Sequence, residues 1–270
     1  MKTTDFFILA NGVKIPAIGF GTWQIPNGET AYNSVAAALK SGYRHIDTAL
    51  AYGNEESVGR AIRDSGIPRD EIFVTSKLPA EMKNYRNAHI SFKMTMKNIG
   101  LNFIDLYLIH APWPWNKIGA DYTKENIEIW KAMEEIYETG QARSIGISNF
   151  NVTDIDAILD TCRIKPMVNQ IKLHIGHAQE EITSHCQKND IVVEGYSPLA
   201  TGRILADKNI AGIAAKYGRS VSQLSIRYVL QKGVLPLPKS THPEYIKHNL
   251  DIDFDISEND MKYLDGLTTV

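Results

Sequence analysis

The sequence contains only two cysteines, Cys162 and Cys186, among 270 residues. This excludes a small secreted fold framed by disulfides and makes a reducing compartment the default. Long apolar runs are also missing: the N-terminal run at residues 6–10 stops at Asn11-Gly12. A signal peptide needs roughly 7–15 apolar residues and a membrane span roughly 18. We therefore expect a cytoplasmic protein without membrane contact.

An excess of basic charge is missing as well. Lys and Arg number 29 against 31 Asp and Glu, which gives a formal net charge of −2. Nucleic acid is therefore not expected as a partner, because no cationic surplus exists to neutralise phosphates. The chain is 43% hydrophobic and 22% charged, a balance that excludes general disorder and allows a large core.

The apolar pattern predicts alternating strands and helices after an N-terminal hairpin. Asn11-Gly12 between two apolar runs is a strong hairpin signal. Eight strand candidates follow, at residues 17–20, 44–47, 72–77, 104–110, 142–148, 167–171, 191–196 and 234–238. Amphipathic segments typical of helices lie between them, among others at residues 30–41, 55–64, 86–100, 124–139, 180–189 and 221–232.

This alternation predicts an α/β fold, a (β/α)8 TIM barrel with an N-terminal β-hairpin, as one domain over residues 1–270. Residues 111–123 and 197–209 look like long inserted loops. The alternative is a doubly wound open sheet. A sheet of that kind usually has a glycine-rich fingerprint after its first strand, and the segment Gly19-Phe20-Gly21-Thr22-Trp23 lacks the third glycine.

Three consecutive strand candidates end in ionisable residues, namely Asp47, Lys77 and His110. Carboxyl ends of barrel strands face the active site, and neighbouring strands lie about 4.8 Å apart, so the three side chains are expected to converge. Tyr52 follows five residues after the first of them. A plain rim ion pair and an unremarkable histidine are the alternative explanation, and spacing alone does not decide between the two.

Three sequence motifs stand out by their length and composition. They are residues 42–55, GYRHIDTALAYGNE, with Gly59 after them, residues 140–150, GQARSIGISNF, and Leu237-Pro238-Lys239-Ser240, continued to Asn249. In this order they resemble the first, second and third signatures of the aldo-keto reductase family. The resemblance extends from the hairpin to about Leu264. It implies NADPH-dependent reduction of aldehydes and ketones to alcohols, with the cofactor extended across the barrel mouth.

The family's catalytic tetrad of Asp, Tyr, Lys and His matches Asp47, Tyr52, Lys77 and His110. Tyr52 would be the general acid, with a pKa lowered by the Lys77 ammonium, which Asp47 holds in place. His110 would direct the substrate carbonyl. Because the cofactor is the reductant and Tyr52 the acid, no metal is expected.

The resemblance also implies a set of cofactor-binding residues along the mouth. They are Thr22, Ser148, Asn149, Gln170, Tyr196, Ser197, Leu199, Thr201, Gly202, Lys239, Ser240 and Asn249. Ser148, Asn149 and Gln170 would hold the nicotinamide amide, and Tyr196 would stack on the ring. Lys239 and Ser240 would contact the 2′-phosphate. The ordinary alternative to a cofactor contact is core packing for Tyr196 and a solvated surface charge for Lys239.

Three positions depart from the family pattern. Tyr245 stands where the third signature has Arg, and His248 stands where it has Glu or Gln. His110 is followed by Ala-Pro-Trp-Pro-Trp instead of an immediate Trp-Pro. The substrate pocket is therefore expected to contain His110 and either Trp23 or Trp113. Family members with steroid selectivity usually carry a longer C-terminal loop over the pocket, whereas this chain ends at Val270, soon after the last helix candidate. The resemblance therefore implies an open site for small carbonyls such as α-dicarbonyls, keto esters and keto acids.

Two other functions and two further motifs offer alternative interpretations of the sequence. A non-catalytic NADP(H)-binding barrel, such as a sensor or a regulatory subunit, is disfavoured by the complete tetrad, and a sugar-phosphate isomerase would not bind NADPH. Tyr228 and Lys232 imitate the pair of short-chain dehydrogenases, but no glycine-rich nucleotide loop accompanies them. The last motif, His174, His177, His185 and Cys186, lacks the paired Cys-x-x-Cys of a zinc site. The family resemblance further implies a monomer.

Overall fold

A two-stranded hairpin precedes the main sheet in the computed structural model, which describes residues 1–268. Strand β1 (Phe6–Ile8) pairs antiparallel with β2 (Lys14–Pro16), so that Phe7 lies opposite Ile15. Gly12 has a φ of 84°, the left-handed backbone that an Asn-Gly turn requires. Ile15 of the hairpin packs in a buried cluster with core residues of the barrel. The predicted hairpin is confirmed.

Eight parallel strands form the main sheet, each bonded to its neighbour in chain order. They are β3 (Phe20–Gly21), β4 (His45–Asp47), β5 (Phe73–Leu78), β6 (Leu106–Ile109), β7 (Ile145–Ser148), β8 (Val168–Lys172), β9 (Val192–Tyr196) and β10 (Leu235–Leu237). The first and last strands also meet, because the N–H groups of Gly19 and Gly21 donate to Pro236 and Pro238 carbonyls at 3.1 and 3.0 Å. These bonds close the barrel, so the (β/α)8 prediction is confirmed and the doubly wound alternative is wrong.

Helices surround the barrel. They are α1 (Glu29–Ser41), α2 (Glu55–Asp64), α3 (Tyr85–Ile99), α4 (Thr123–Glu138), α5 (Val152–Leu159), α6 (Glu180–Lys188), α7 (Lys208–Lys216), α8 (Val221–Gln231), α9 (Pro243–His248) and α10 (Glu258–Asp265). The six helices bounded from the sequence lie within one residue of their predicted limits. The predicted loop at 197–209 instead contains a 3-10 helix (Ala200–Ala206) and the start of α7.

The helices pack closely on one another and on the strands, and the apolar core fills the layer between them. Gly59 of α2 has no space for a side chain, since an added Cβ would lie 1.8 Å from the carbonyl oxygen of Ile99. Any larger residue there would separate α2 from α3. No helix within residues 1–268 is long and apolar enough to cross a membrane. Since all eight strands are parallel, their carboxyl ends share one rim, and this rim carries the site.

Candidate active site

A buried ion pair between Lys77 and Asp47 lies at the carboxyl ends of β5 and β4. The Nζ of Lys77 donates to the two Asp47 carboxylate oxygens at 2.7 and 2.8 Å and to the carbonyl oxygen of Thr48 at 2.9 Å. Lys77 is 0% exposed and Asp47 3%. A buried ammonium is tolerated only when it is paired and hydrogen-bonded. The three acceptors therefore fix Nζ at one point beneath the mouth.

Tyr52 lies beside this pair on a short 3-10 helix (Leu50–Tyr52) between β4 and α2. The buried side chain of Asn54 anchors the loop, since it accepts from the Thr48 hydroxyl at 2.7 Å and donates to the Thr22 carbonyl at 3.0 Å. The Lys77 Nζ lies 4.9 Å from the centre of the Tyr52 ring, and the His110 ring centre lies 5.5 Å away. The three strand-end residues and Tyr52 thus surround one small volume.

Burial and nearby charges determine the protonation states of Tyr52, Lys77 and His110. Burial raises the pKa of Tyr52, and the nearby Lys77 ammonium opposes the rise. Burial acts to lower the pKa of Lys77 itself, but the Asp47 carboxylate and Tyr52 outweigh it, so the net direction is upward. Burial, with a smaller contribution from Lys77, lowers the pKa of His110 to about 3. At neutral pH the site therefore holds an ammonium, a neutral tyrosine and a neutral imidazole.

Polar side chains at the carboxyl ends of β7 and β9 form hydrogen bonds across the neighbouring part of the rim. Asn149 has a φ of 63°, a left-handed conformation that Asn tolerates better than most residues. Its amide nitrogen donates to the His110 carbonyl at 2.9 Å, and its Oδ1 accepts from the Tyr196 hydroxyl at 2.8 Å. The Ser148 hydroxyl donates to the Gln170 carbonyl at 2.8 Å. These bonds join the strand end that carries His110 to those that carry Tyr196 and Gln170.

The side-chain amide of Gln170 connects two acidic residues inside the barrel. Its Nε2 donates to Oδ2 of Asp47 at 2.8 Å and to Oε2 of Glu194 at 2.7 Å. An amide nitrogen has two hydrogens, so both are used. Within residues 1–268 no donor bonds to the Gln170 Oε1, which is left to accept an incoming N–H. The sequence offered a signal for Glu194 that was missed: an acidic residue inside an apolar strand run.

The residues predicted to contact a cofactor fit a dinucleotide. Ala200, Thr201 and Gly202 have consecutive positive φ values of 49°, 57° and 92°. Backbone turns of this kind can present N–H groups to an anion such as a pyrophosphate. Lys239 is exposed beyond the end of β10 and can supply a cation for a phosphate. At the other end, the half-buried Tyr196 ring and the free Gln170 oxygen suit a nicotinamide with its carboxamide.

Other predicted cofactor residues differ in accessibility. Ser197 and Leu199 are half-buried on the loop after β9, and Ser240 accepts from the backbone N–H of His242 at 3.0 Å. Asn249 is buried at the end of α9. Thr22 is 0% exposed, and its hydroxyl donates to the Asp47 carbonyl at 2.9 Å, so this structure shows it supporting Asp47.

The aromatic wall of the site includes a residue that was not singled out from the sequence. The ring of Trp115 packs edge-on against His110, with 5.6 Å between ring centres, and Trp113 packs against Trp115 at 5.3 Å. Ala111, where the family pattern places Trp, is fully buried. The predicted candidate Trp23 is 47% exposed. The sequence showed two Trp residues around Pro114, but only the loop path decides which of them faces His110.

Within the described part of the chain, the histidine–cysteine motif and the Tyr228–Lys232 pair form neither a metal site nor a catalytic pair with the rim residues described above. His174 and His177 stack on each other, whereas His185 bonds to Asp156 at 2.7 Å. Among residues 1–268, no group of three or more His, Cys, Asp or Glu side chains is arranged to hold a metal ion. Tyr228 lies on α8 and Lys232 directly after its end, and both bond to Asp265.

The chain is similar to known proteins over nearly its whole length. A family model described as the aldo/keto reductase family matches residues 17–269. A glyoxal reductase of Bacillus subtilis is 42% identical over 264 residues, covering 97% of this chain and 92% of the relative. A 9,11-endoperoxide prostaglandin H2 reductase of Trypanosoma cruzi is 38% identical, with 96% and 90% covered. A crystal structure of an aldo/keto reductase from Brucella melitensis superposes with a TM-score of 0.90 at 39% identity, covering 97% of this chain and 99% of that one.

Proposed function

The chain belongs to the aldo-keto reductase family, and from this premise we propose that it reduces small aldehydes and ketones to alcohols with NADPH. The observation that carries the proposal is the fully buried Lys77, paired with Asp47 and placed 4.9 Å from the Tyr52 ring centre. A buried charge at a rim, beside a hydroxyl that can ionise, is an arrangement typical of acid–base catalysis. As a member of this family, the protein is an oxidoreductase.

Tyr52 is the proton donor in the proposed mechanism. Negative charge grows on the carbonyl oxygen during reduction, and the Tyr52 hydroxyl transfers its proton there. The Lys77 ammonium stabilises the tyrosinate that remains, and Asp47 keeps Lys77 charged despite its burial. His110, neutral at pH 7, donates an N–H that orients the carbonyl without competing for the proton.

The cofactor would be held along the rim by side chains of several strand ends. Bound NADPH supplies the hydride for the carbonyl carbon. Gln170 and Asn149 would hold the nicotinamide carboxamide, and the Tyr196 ring would cover the nicotinamide. Residues 197–202 would hold the pyrophosphate, and Lys239 with Ser240 the 2′-phosphate.

Small α-dicarbonyls are the proposed substrate class, with keto esters as further candidates. The relative from Bacillus subtilis is named a glyoxal reductase and is similar over nearly the whole chain. The Trp115 ring beside His110 restricts the space next to the carbonyl position. The test is NADPH oxidation with glyoxal, methylglyoxal, a keto ester and an aromatic aldehyde. A protein that binds NADPH but oxidises it with none of them would be a non-catalytic binding barrel, and one that does not bind it would contradict both functions.

We expect Lys239 to determine the preference for NADPH over NADH. A charged hydrogen bond is worth roughly 1.5–3 kcal/mol, or about 10- to 150-fold in discrimination. Lys239→Ala should therefore abolish most of the difference in kcat/KM between the cofactors. Tyr245→Arg should increase it, because a guanidinium can bind phosphate with two parallel bonds.

Lys40→Ala, which removes another exposed lysine from the end of α1, serves as the control and should keep the wild-type ratio. Each ratio is measured at one ionic strength with saturating methylglyoxal. A wild-type preference for NADH, or a ratio unaffected by Lys239→Ala, would show that this segment does not bind the 2′-phosphate.

Trp115 is expected to limit substrate size. Trp115→Ala should raise kcat/KM for an aromatic dicarbonyl relative to methylglyoxal by about tenfold, since it removes the ring that packs against His110. Trp113→Ala should change this ratio less, because the Trp113 ring packs against Trp115. A larger change from Trp113→Ala, or from Trp23→Ala, would assign the pocket wall to that residue instead.

A further inference from the structure

Glu194 is a buried acid that the proposed mechanism does not use. It lies on β9 directly opposite Gln170 of β8 and opposite Leu235 of β10. Its side chain is 0% exposed, and its Oε1 has no hydrogen-bond partner within residues 1–268. An apolar residue would fill such a position at lower cost, because a buried polar group is costly unless it is bonded. The side-chain hydrogen bond that Glu194 accepts from Gln170 is the only one its carboxyl makes within residues 1–268, and it therefore needs an explanation.

Burial and the Asp47 charge together favour the neutral form of the Glu194 carboxyl. Burial, and next the negative charge of Asp47, raise the pKa of Glu194 to about 8. His45 of β4 lies 3.8 Å away through its Nε2, and burial lowers its pKa to about 3, so it supplies no positive charge. Lys77 of β5 lowers the Glu194 pKa only in part. As a neutral acid, Glu194 can accept from Gln170 without placing a second charge beside Asp47.

The orientation of the Gln170 amide follows from its two acceptors. When the Gln170 Nε2 donates to both carboxyl groups, its distances to the acceptor oxygens of Asp47 and Glu194 are 2.8 and 2.7 Å. The opposite orientation would point Oε1 at the Asp47 carboxylate, where two acceptors would repel each other. Asp47 also accepts from Lys77, so its position is fixed independently. Glu194 adds the second bond, which removes the remaining rotational freedom of the amide.

We propose that Glu194 is a positioning residue for cofactor binding, which holds the Gln170 amide so that its Oε1 accepts an N–H from the nicotinamide carboxamide. That amino group is the only N–H donor on a nicotinamide ring, and Oε1 can only accept. This inference rests on the proposed function, because it requires a nicotinamide at the rim. It concerns binding and not the chemical step, so binding alone can test it.

The experiment compares two ligands by calorimetric titration without substrate. One ligand is NADP⁺, and the other is its acetylpyridine analogue, in which a methyl group replaces the carboxamide amino group. Glu194→Met keeps the length of the side chain but removes the acceptor. It should weaken NADP⁺ binding by about 3- to 10-fold, the equivalent of one net hydrogen bond, and leave the Kd of the analogue unchanged.

Glu194→Gln is the matched control, because its amide oxygen accepts in place of the neutral acid. It should restore the wild-type ratio of the two Kd values. Equal weakening of both ligands by Glu194→Met would mean a merely structural role, and an unchanged Kd for both would mean no role; either result overturns the inference. If Glu194→Met does not fold, Glu194→Leu takes its place. A wild-type protein that binds neither ligand would instead refute the proposed function.

Discussion

Tyr52→Phe is expected to lower kcat by about 10²- to 10⁴-fold, the usual contribution of a general acid. The substitution keeps the ring, whose contacts with Lys77 and His110 hold it in place. It removes only the hydroxyl, so the Kd of NADPH should stay unchanged. The measurement is single-turnover reduction of methylglyoxal, with deuterated NADPH used to show that hydride transfer limits the rate.

A second Tyr-to-Phe substitution provides the control. Tyr43 is a buried tyrosine whose hydroxyl has no partner within residues 1–268, and its ring packs against Phe20. Tyr43→Phe should keep wild-type kcat. If Tyr52→Phe retains more than a tenth of wild-type kcat while hydride transfer is rate-limiting, Tyr52 is not the proton donor.

Lys77→Met should remove nearly all activity and also destabilise the fold. Without the ammonium, nothing offsets the effect of burial on the Tyr52 pKa, so the tyrosinate becomes harder to form. Among residues 1–268, the Asp47 carboxylate then keeps only the Gln170 amide as a side-chain donor. Removal of one partner of a buried pair typically costs about 3–5 kcal/mol. Urea unfolding measures this loss, and single-turnover kinetics measures the activity.

Asp47→Asn should be less harmful than Lys77→Met at mildly acidic pH. Asp47 is the main group that keeps the Lys77 pKa high against burial, so its neutral replacement lowers that pKa. The Lys77 ammonium then persists at low pH and is lost as the pH rises through the lowered value. Activity of Asp47→Asn should therefore fall with rising pH, whereas Lys77→Met should be inactive throughout. A variant Asp47→Asn that is less active than Lys77→Met at every pH would reverse the assigned roles.

An ion pair far from the rim provides a control that distinguishes a loss of stability from a loss of catalysis. Asp105, at the opposite end of the barrel strands, accepts from Arg69 at 2.7 Å and from the backbone N–H of Val74 at 2.9 Å. Asp105→Asn should lower the free energy of unfolding and leave kcat unchanged. If it lowers kcat as much as Asp47→Asn does, the activity losses at the rim reflect destabilisation.

The barrel, the hairpin and the placement of Asp47, Lys77 and His110 at strand ends could all be predicted from the sequence. These features follow from local signals: apolar runs set strands, and the chain direction sets which end of each strand carries a polar residue. Asp47 lies opposite Thr75, and Lys77 lies opposite Leu108, so Lys77 and His110 each lie two residues beyond the partner of the preceding site residue. Because the strands are parallel, their carboxyl ends nevertheless share one rim, where these residues converge. Spacing also drew attention to Tyr52, which lies on the short 3-10 helix after β4, and the family resemblance then implied its role as the general acid.

The features that depend on contacts between distant residues could not be predicted from the sequence and are seen only in the folded structure. Short elements such as α5 and α9 have too few residues for a clear periodicity, and packing stabilises them. The path of the loop after β6 brings Trp115 to His110. The orientation of the Gln170 amide depends on Asp47, which is 123 positions away in the chain. Periodicity encodes which face of an element is buried, but it carries no information about which buried polar groups meet, because those pairs form only when the barrel closes.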